Sequence, residues 1–249
     1  LGLTSETEAL VAVKRWGDEK NDAPQWDIAR WRFDQRFKRK DVVIENAGVG
    51  TGLSGNKQVL FGYYLDGKVV FWSTGDWKKL GEIDVGEGYP HAISDDGRLF
   101  AARVDVWAKR GPTTLDIWDV REQKLLRRCR PSTSGLDNMV FHSSGEVLAE
   151  NCGVDLFLRD LKTGQFFATW SAPIVREGPN KFTSSFMMSS LAFSRDGDAL
   201  AAGLYHTKEV ALFRIAQSDL KRLRDTAKTS LQKGASDTDK RESRDAAKD

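Results

Sequence analysis

The sequence predicts an all-β fold assembled from repeated four-stranded antiparallel units, and three observations predict it. An eight-residue pattern recurs: an apolar residue, usually a small polar one, five variable positions, then Leu or Phe. A second apolar anchor ending in a large residue follows each copy. Alternating and β-branched residues dominate, and no long stretch of helical period occurs before residue 218.

The copies of the first pattern are LTSETEAL from Leu3, LSGNKQVL from Leu53, ISDDGRLF from Ile93, FHSSGEVL from Phe141 and FSRDGDAL from Phe193. Their starts lie 50, 40, 48 and 52 residues apart. Gly97, Gly145 and Gly197 hold the fifth position of three copies, and two of these form Asp-Gly, at Asp96-Gly97 and Asp196-Gly197. Asp-Gly between apolar runs predicts a tight hairpin, because both residues tolerate positive φ. The second anchors are RWRFD ending at Asp34, VVFWS at Ser73, LDIWD at Asp119, LFLRD at Asp160 and VALFR at Arg214. A turn such as Lys162-Thr163-Gly164 and a further apolar segment follow. Each unit therefore reads as strand, tight turn, strand, loop, strand, tight turn, strand. The units start near residues 1, 51, 91, 139 and 191 and end at 218.

These anchors resemble the WD-repeat β-propeller family, most closely in LAFSRDGDALAAG from Leu191 and LDIWDVREQKLL from Leu115. The resemblance is degenerate and of the broad WD40/YVTN kind: the terminal Trp-Asp stands once, at Trp118-Asp119, and no Gly-His precedes any unit. LRDLKTGQFFATW is also similar to a quinoprotein-type repeat. The resemblance implies a β-propeller of four-stranded blades, about five of them visible. At about 44 residues each they match the size of a WD blade. The fifth unit looks unfinished, since RIAQSDLKRLRDTAKT follows Phe213 and reads either as a poor outer strand over Leu220 to Arg224 or as the start of a helix. The chain also begins directly at an innermost strand. The expectation is an incomplete ring, the C-terminal blades of a larger propeller, with a complete five-bladed ring as the alternative. An open arc would expose apolar blade faces and predicts self-association.

The turns joining first to second and third to fourth strands are short. The long insertions fall in the other class of connection: Arg15 to Trp26, Val106 to Pro112 and Ala172 to Phe186. They carry Trp16, Trp26, Trp107, Lys109, Arg110 and Arg176. Loops on a rigid scaffold are where binding resides, and Trp and Arg are enriched among interface anchors. These six residues are the candidate partner-binding face.

Other motifs carry less. Gly50-Thr-Gly52-Leu-Ser-Gly55 matches a dinucleotide fingerprint, but a strand (QVLFGYY), not a helix, follows it. His91, His142 and His206 lie in three different repeats without metal-type spacing. His142 stands where sister units place Ser or Thr, which predicts a local hydrogen-bonding role. Cys129 and Cys152 read as free thiols. The basic clusters Arg36, Lys38, Arg39, Lys40 and Arg127, Arg128, Arg130 fall on outer strands, where charge protects edges. Residues 219–249 contain no aromatics and mix nine basic with seven acidic side chains, which predicts a disordered or partly helical tail.

The formal net charge of +2 argues against a nucleic-acid partner, and no apolar run is long enough for a membrane helix. The expected function is a non-catalytic scaffold or binding module for a protein or peptide, with no cofactor and no metal. The alternatives are a quinoprotein-like propeller enzyme, or a regulatory segment fused to an upstream catalytic domain. Nothing in the residues fixes the compartment; the cytoplasm is slightly favoured, and a removed signal peptide stays open because the first residue is Leu.

Overall fold

The computed structural model describes residues 8–15, 25–32, 40–86, 88–104, 113–132, 138–171, 188–204, 209–215, 218, 220, 221 and 225. It is all-β and of the β-propeller class, with five small antiparallel sheets, the blades, in chain order. Blade 1 holds β1 (Glu8–Arg15), β2 (Gln25–Arg32) and β3 (Lys40–Ile44). Blade 2 holds β4 (Gly50–Leu53), β5 (Val59–Tyr63), β6 (Lys68–Ser73) and β7 (Lys79–Asp84). Blade 3 holds β8 (Gly88–Ile93), β9 (Leu99–Val104), β10 (Thr114–Asp119) and β11 (Lys124–Cys129). Blade 4 holds β12 (Asn138–Phe141), β13 (Val147–Cys152), β14 (Asp155–Asp160) and β15 (Phe166–Ser171). Blade 5 holds β16 (Met188–Phe193), β17 (Ala199–Leu204) and β18 (Val210–Arg214). Strands neighbour one another in sequence order in every blade; blades 1 and 5 have three strands among the described residues. The chain divides into two compact units, residues 1–134 with 139–141, and residues 135–138 with 142–249.

In the first unit, blade 2 shows why its strands read as unbroken apolar runs. Leu60, Val70 and Trp72 pack with Leu10, Ile28 and Ile44 of blade 1. The alternate residues Phe61, Val69 and Phe71 pack with Phe100 and Ala102 of blade 3. Period-two alternation thus serves two cores at once, and a strand buried on both faces loses its polar positions.

The eight-residue pattern is the end of one strand, a turn, and the start of the next. Its second position supplies the turn's hydrogen bonds. Ser94 Oγ donates to Asp96 Oδ1 (2.6 Å) and accepts from Leu99 N (2.8 Å). Ser194 and Asp196 repeat the arrangement toward Ala199 N, and Ser54 with Asn56 does so toward Val59 N. One expectation is corrected here. Only the glycine of each Asp-Gly takes positive φ, 74° at Gly97 and 80° at Gly197, and the loop is longer than a two-residue hairpin. The aspartate contributes its carboxylate instead, accepting from the hydroxyl and from the N–H two residues on. In the turn between β6 and β7 the positive φ falls on Trp77, not on Gly75.

His142 occupies the same position in blade 4. Its Nδ1 accepts from Ser144 N (3.1 Å) and meets Ser144 Oγ at 2.9 Å, while Nε2 lies 3.2 Å from the Gly197 carbonyl of blade 5. The neutral tautomer with the proton on Nε2 satisfies all three contacts. The ring thus closes its turn at Ser144, two residues on, where the serines of sister turns bond the N–H five residues on, and it also reaches the next blade. After β18, Ser218, Leu220, Lys221 and Asp225 are helical, and Leu220 is buried, which favours the helix reading over an outer strand.

Candidate functional site

Trp16, Trp107, Lys109, Arg110 and Arg176 lie outside the described residues. The segments of the first four leave from hairpin ends: the ends of β1 and β2 meet at Arg15 and Gln25, and those of β9 and β10 at Val104 and Thr114, whereas the Arg176 segment connects β15 of blade 4 to β16 of blade 5. Trp26 is a strand residue, not a loop residue. It pairs with Lys14, its N–H donates to Gly48 O (3.0 Å), its carbonyl accepts from Ala47 N (2.6 Å), and its side chain is half-buried. Two backbone bonds into the blade 1–blade 2 connection hold it there. His206, Arg36, Lys38 and Arg39 lie outside the described residues as well.

The first unit contains a groove of about 740 Å³ where blade 2 meets blade 3. Val59, Leu80 and Val120 supply its apolar lining, and Asp96, Arg98, Asp119, Arg121 and Glu122 its charged groups. Asp119, the aspartate of the single Trp-Asp, organises one side. Its Oδ1 accepts from Arg121 N and Glu122 N, both at 3.0 Å, and its Oδ2 from Arg98 Nε at 3.3 Å. The Glu122 N–H is the main reason its carboxyl titrates below the usual carboxylate range; burial pushes the other way, and Arg98 and the Arg121 N–H assist the lowering. Sequence reasoning reached Asp119 as a strand terminus but missed Leu80, Arg98, Arg121 and Glu122. The only signal for them was their closeness to the two turn motifs.

A pH dependence follows. A carboxyl depressed in the folded chain and ordinary in the unfolded one stabilises fully above its unfolded value, about pH 4, and that stabilisation disappears as pH falls through the folded value. Asp119→Asn should therefore cost about 1 kcal/mol at neutral pH. The gap between variant and wild type should close in urea titrations taken progressively below about pH 4. A gap that stays constant with pH would remove the carboxylate from the account.

Two other charged positions are structural. Arg128, of the second basic cluster, grips Asp116 with both edges, Nε to Oδ1 at 2.8 Å and Nη2 to Oδ2 at 2.7 Å. In blade 4, Arg159 and Glu150 form an ion pair at 2% and 0% exposure. The Gly50–Gly55 run is a strand entering a hairpin, with β5 after it, so the helix a dinucleotide site needs is not there. Among the described residues, no three His, Cys, Asp or Glu side chains are grouped as a metal site requires.

No protein-family model matches the chain, and no curated protein matches it. The arrangement of five blades thus stands on the strand order itself. What the first unit provides is a firm support: turns closed by side-chain hydrogen bonds, blades 1, 2 and 3 joined by shared cores, and two long connections at hairpin ends. No helix of the described residues is long and apolar enough to cross a membrane.

Proposed function

We propose that the chain is a non-catalytic scaffold module of WD-repeat type that binds a protein or peptide through its long connections. The observation that carries this reading is the contrast between the blades and their connections. Buried residues hold blades 1, 2 and 3 together on both faces of blade 2. Three of the buried acidic groups among the described residues, Asp116, Asp119 and Glu150, are engaged by arginines. The long segments between β1 and β2, between β9 and β10, and between β15 and β16 carry Trp16, Trp107, Lys109, Arg110 and Arg176. Such residues on a rigid support suit recognition better than bond-making.

A pull-down with wild type and with the double variant Trp16→Ala/Trp107→Ala tests it. The double variant should keep the wild-type melting temperature and lose at least about tenfold in recovery of any specific partner, since anchor residues each contribute 2 kcal/mol or more. Equal recovery by a folded variant would refute the proposed face. A stoichiometric quinone or metal in the purified chain would overturn the non-catalytic reading.

A further inference from the structure

We propose that β18 is a self-pairing edge through which two copies of this chain join, strand to strand, about a two-fold axis at Leu212. In blades 2, 3 and 4 the third strand has a fourth on its outer side: β7, β11 and β15 respectively. β18 holds the third-strand place in blade 5, and no described strand lies on its other edge. The chain that follows is helical at Ser218, Leu220 and Lys221, so those residues do not supply one.

The direction of the main-chain groups is fixed by the ladder. Leu204 N donates to Glu209 O at 2.9 Å, and Ile215 N donates to Asp198 O at 2.7 Å. Bonding residues alternate along an antiparallel pair, so Glu209, Ala211, Phe213 and Ile215 bond toward β17. Val210, Leu212 and Arg214 therefore turn their N–H and C=O groups to the outer edge. The same three carry the exposed face, with Val210 62% and Leu212 74% exposed. Among the described residues the main-chain groups of these three have no strand partner, and the apolar side chains of Val210 and Leu212 face solvent beside them, a combination that natural edges normally avoid.

A second copy is the occupant that fits. A two-fold axis perpendicular to the sheet pairs residues of like parity, and the register centred on Leu212 uses the whole strand. Leu212 then faces Leu212, and Val210 faces Arg214 twice. Three outward-bonding pairs form, each exchanging two main-chain hydrogen bonds. No like charges oppose, because each Arg214 lies across from an apolar residue. On the other face Ala211 opposes Phe213, which already packs on Trp170 of blade 4 at 5.9 Å between ring centroids.

The register makes a sign-specific prediction that sedimentation velocity on the full chain, at roughly 1 to 100 μM, can read. Wild type should show a concentration-dependent monomer–dimer equilibrium that stops at the dimer. Val210→Lys sets two like-charge pairs against Arg214 and should weaken the dimer about tenfold, whereas Val210→Glu creates two opposite pairs and should keep or tighten it. Leu212→Lys, which places two cations on the axis, should give monomer. Circular dichroism and melting temperature confirm folding; should Leu212→Lys fail to fold, the two Val210 variants decide. A wild type that is monomeric throughout, including one that binds only another protein's extended strand, would overturn the proposal. So would association beyond the dimer, a folded Leu212→Lys that stays dimeric, or equal weakening by both charges at 210.

Discussion

Glu150→Ala is expected to destabilise the second unit by about 3–5 kcal/mol, because it leaves a buried guanidinium without its counter-charge. Arg159 donates from Nε to Glu150 Oε1 and from Nη2 to Oε2 at 3.1 Å. Its Nη1 reaches the Gly164 carbonyl at 2.7 Å, and Phe166 lies under it at 4.0 Å from the ring centroid. The repeat explains why a pair of charges sits inside a blade. The third and fourth strands shift register before Trp72, Trp118 and Arg159 alike, which makes these three residues equivalents. Glu150 in turn occupies the place of Gly62, Ala102 and Ala202 in the second strands. Gly62 is close-packed, since an added Cβ would lie 1.9 Å from the Ala47 carbonyl oxygen and 3.1 Å from the Trp72 ring. Blades 2 and 3 thus set a large ring beside a small residue, while blade 4 sets a long cation beside a long anion. The double variant Glu150→Ala/Arg159→Trp restores the sister arrangement. It should recover stability to within about 1.5 kcal/mol of wild type, as volume-conserving core exchanges do. Chemical denaturation of the three proteins measures this. A Glu150→Ala loss below about 1 kcal/mol, or a double variant no better than the single, would show that the pair does not act as one unit.

The same repeat determines how much was readable beforehand. The turns and the strands beside them were legible because Ser94, Asp96 and Gly97 each do a local job, and local jobs leave local signatures. The alternation in Lys68–Ser73 was legible as a strand, but its assignment of Val70 and Trp72 to one core and Val69 and Phe71 to another was not. That division depends on neighbours in other blades, such as Ile28 for Val70 and Phe100 for Phe71. The Arg159–Glu150 pair escaped for a similar reason. LFLRD reads as an ordinary anchor, and only alignment of second strands against third strands sets Glu150 diagonally across from the substituted tryptophan position, two residues beyond Leu148, which faces Arg159 directly. Trp26 was misplaced because an apolar residue ending a polar segment looks like part of the loop, whereas its backbone bonds to Ala47 and Gly48 begin the strand. The groove by Asp119 escaped as well. Its lining comes from two blades, and Leu80 and Arg98 carry no motif that marks them as neighbours.

Phe100→Ala is expected to cost about 3–5 kcal/mol and to loosen blades 2 and 3 together. The ring is wholly buried, and it stands edge-on to Phe61 at 5.0 Å and to Phe71 at 5.3 Å between centroids. Both partners belong to blade 2, so this side chain of β9 stands in the middle of the core the two blades share, with Ala102 and Val120 beside it. Removing it leaves a cavity that strands held in two ladders cannot close by shifting, and it ends two aromatic contacts worth about 1 kcal/mol each. Phe100→Leu is the informative control. Leu60, Leu148 and Leu200 hold the equivalent place in sister blades and are all fully buried, so the site accepts a branched aliphatic chain at a cost of about 1 kcal/mol. Hydrogen exchange gives the spatial test. In a stack of repeats, stability is mostly a sum of unit terms and nearest-neighbour interfaces. Amides of β5, β6 and β9 should therefore exchange faster in Phe100→Ala by the factor its stability loss implies, while those of β17 keep wild-type protection. Loss of protection spread evenly through β17 would mean that the blades unfold as one cooperative body, and the interface would then not be a local determinant. A small loss confined to β9 would instead show that Phe61 and Phe71 repack without Phe100, and that the paired ladders, not the ring, hold the two blades together.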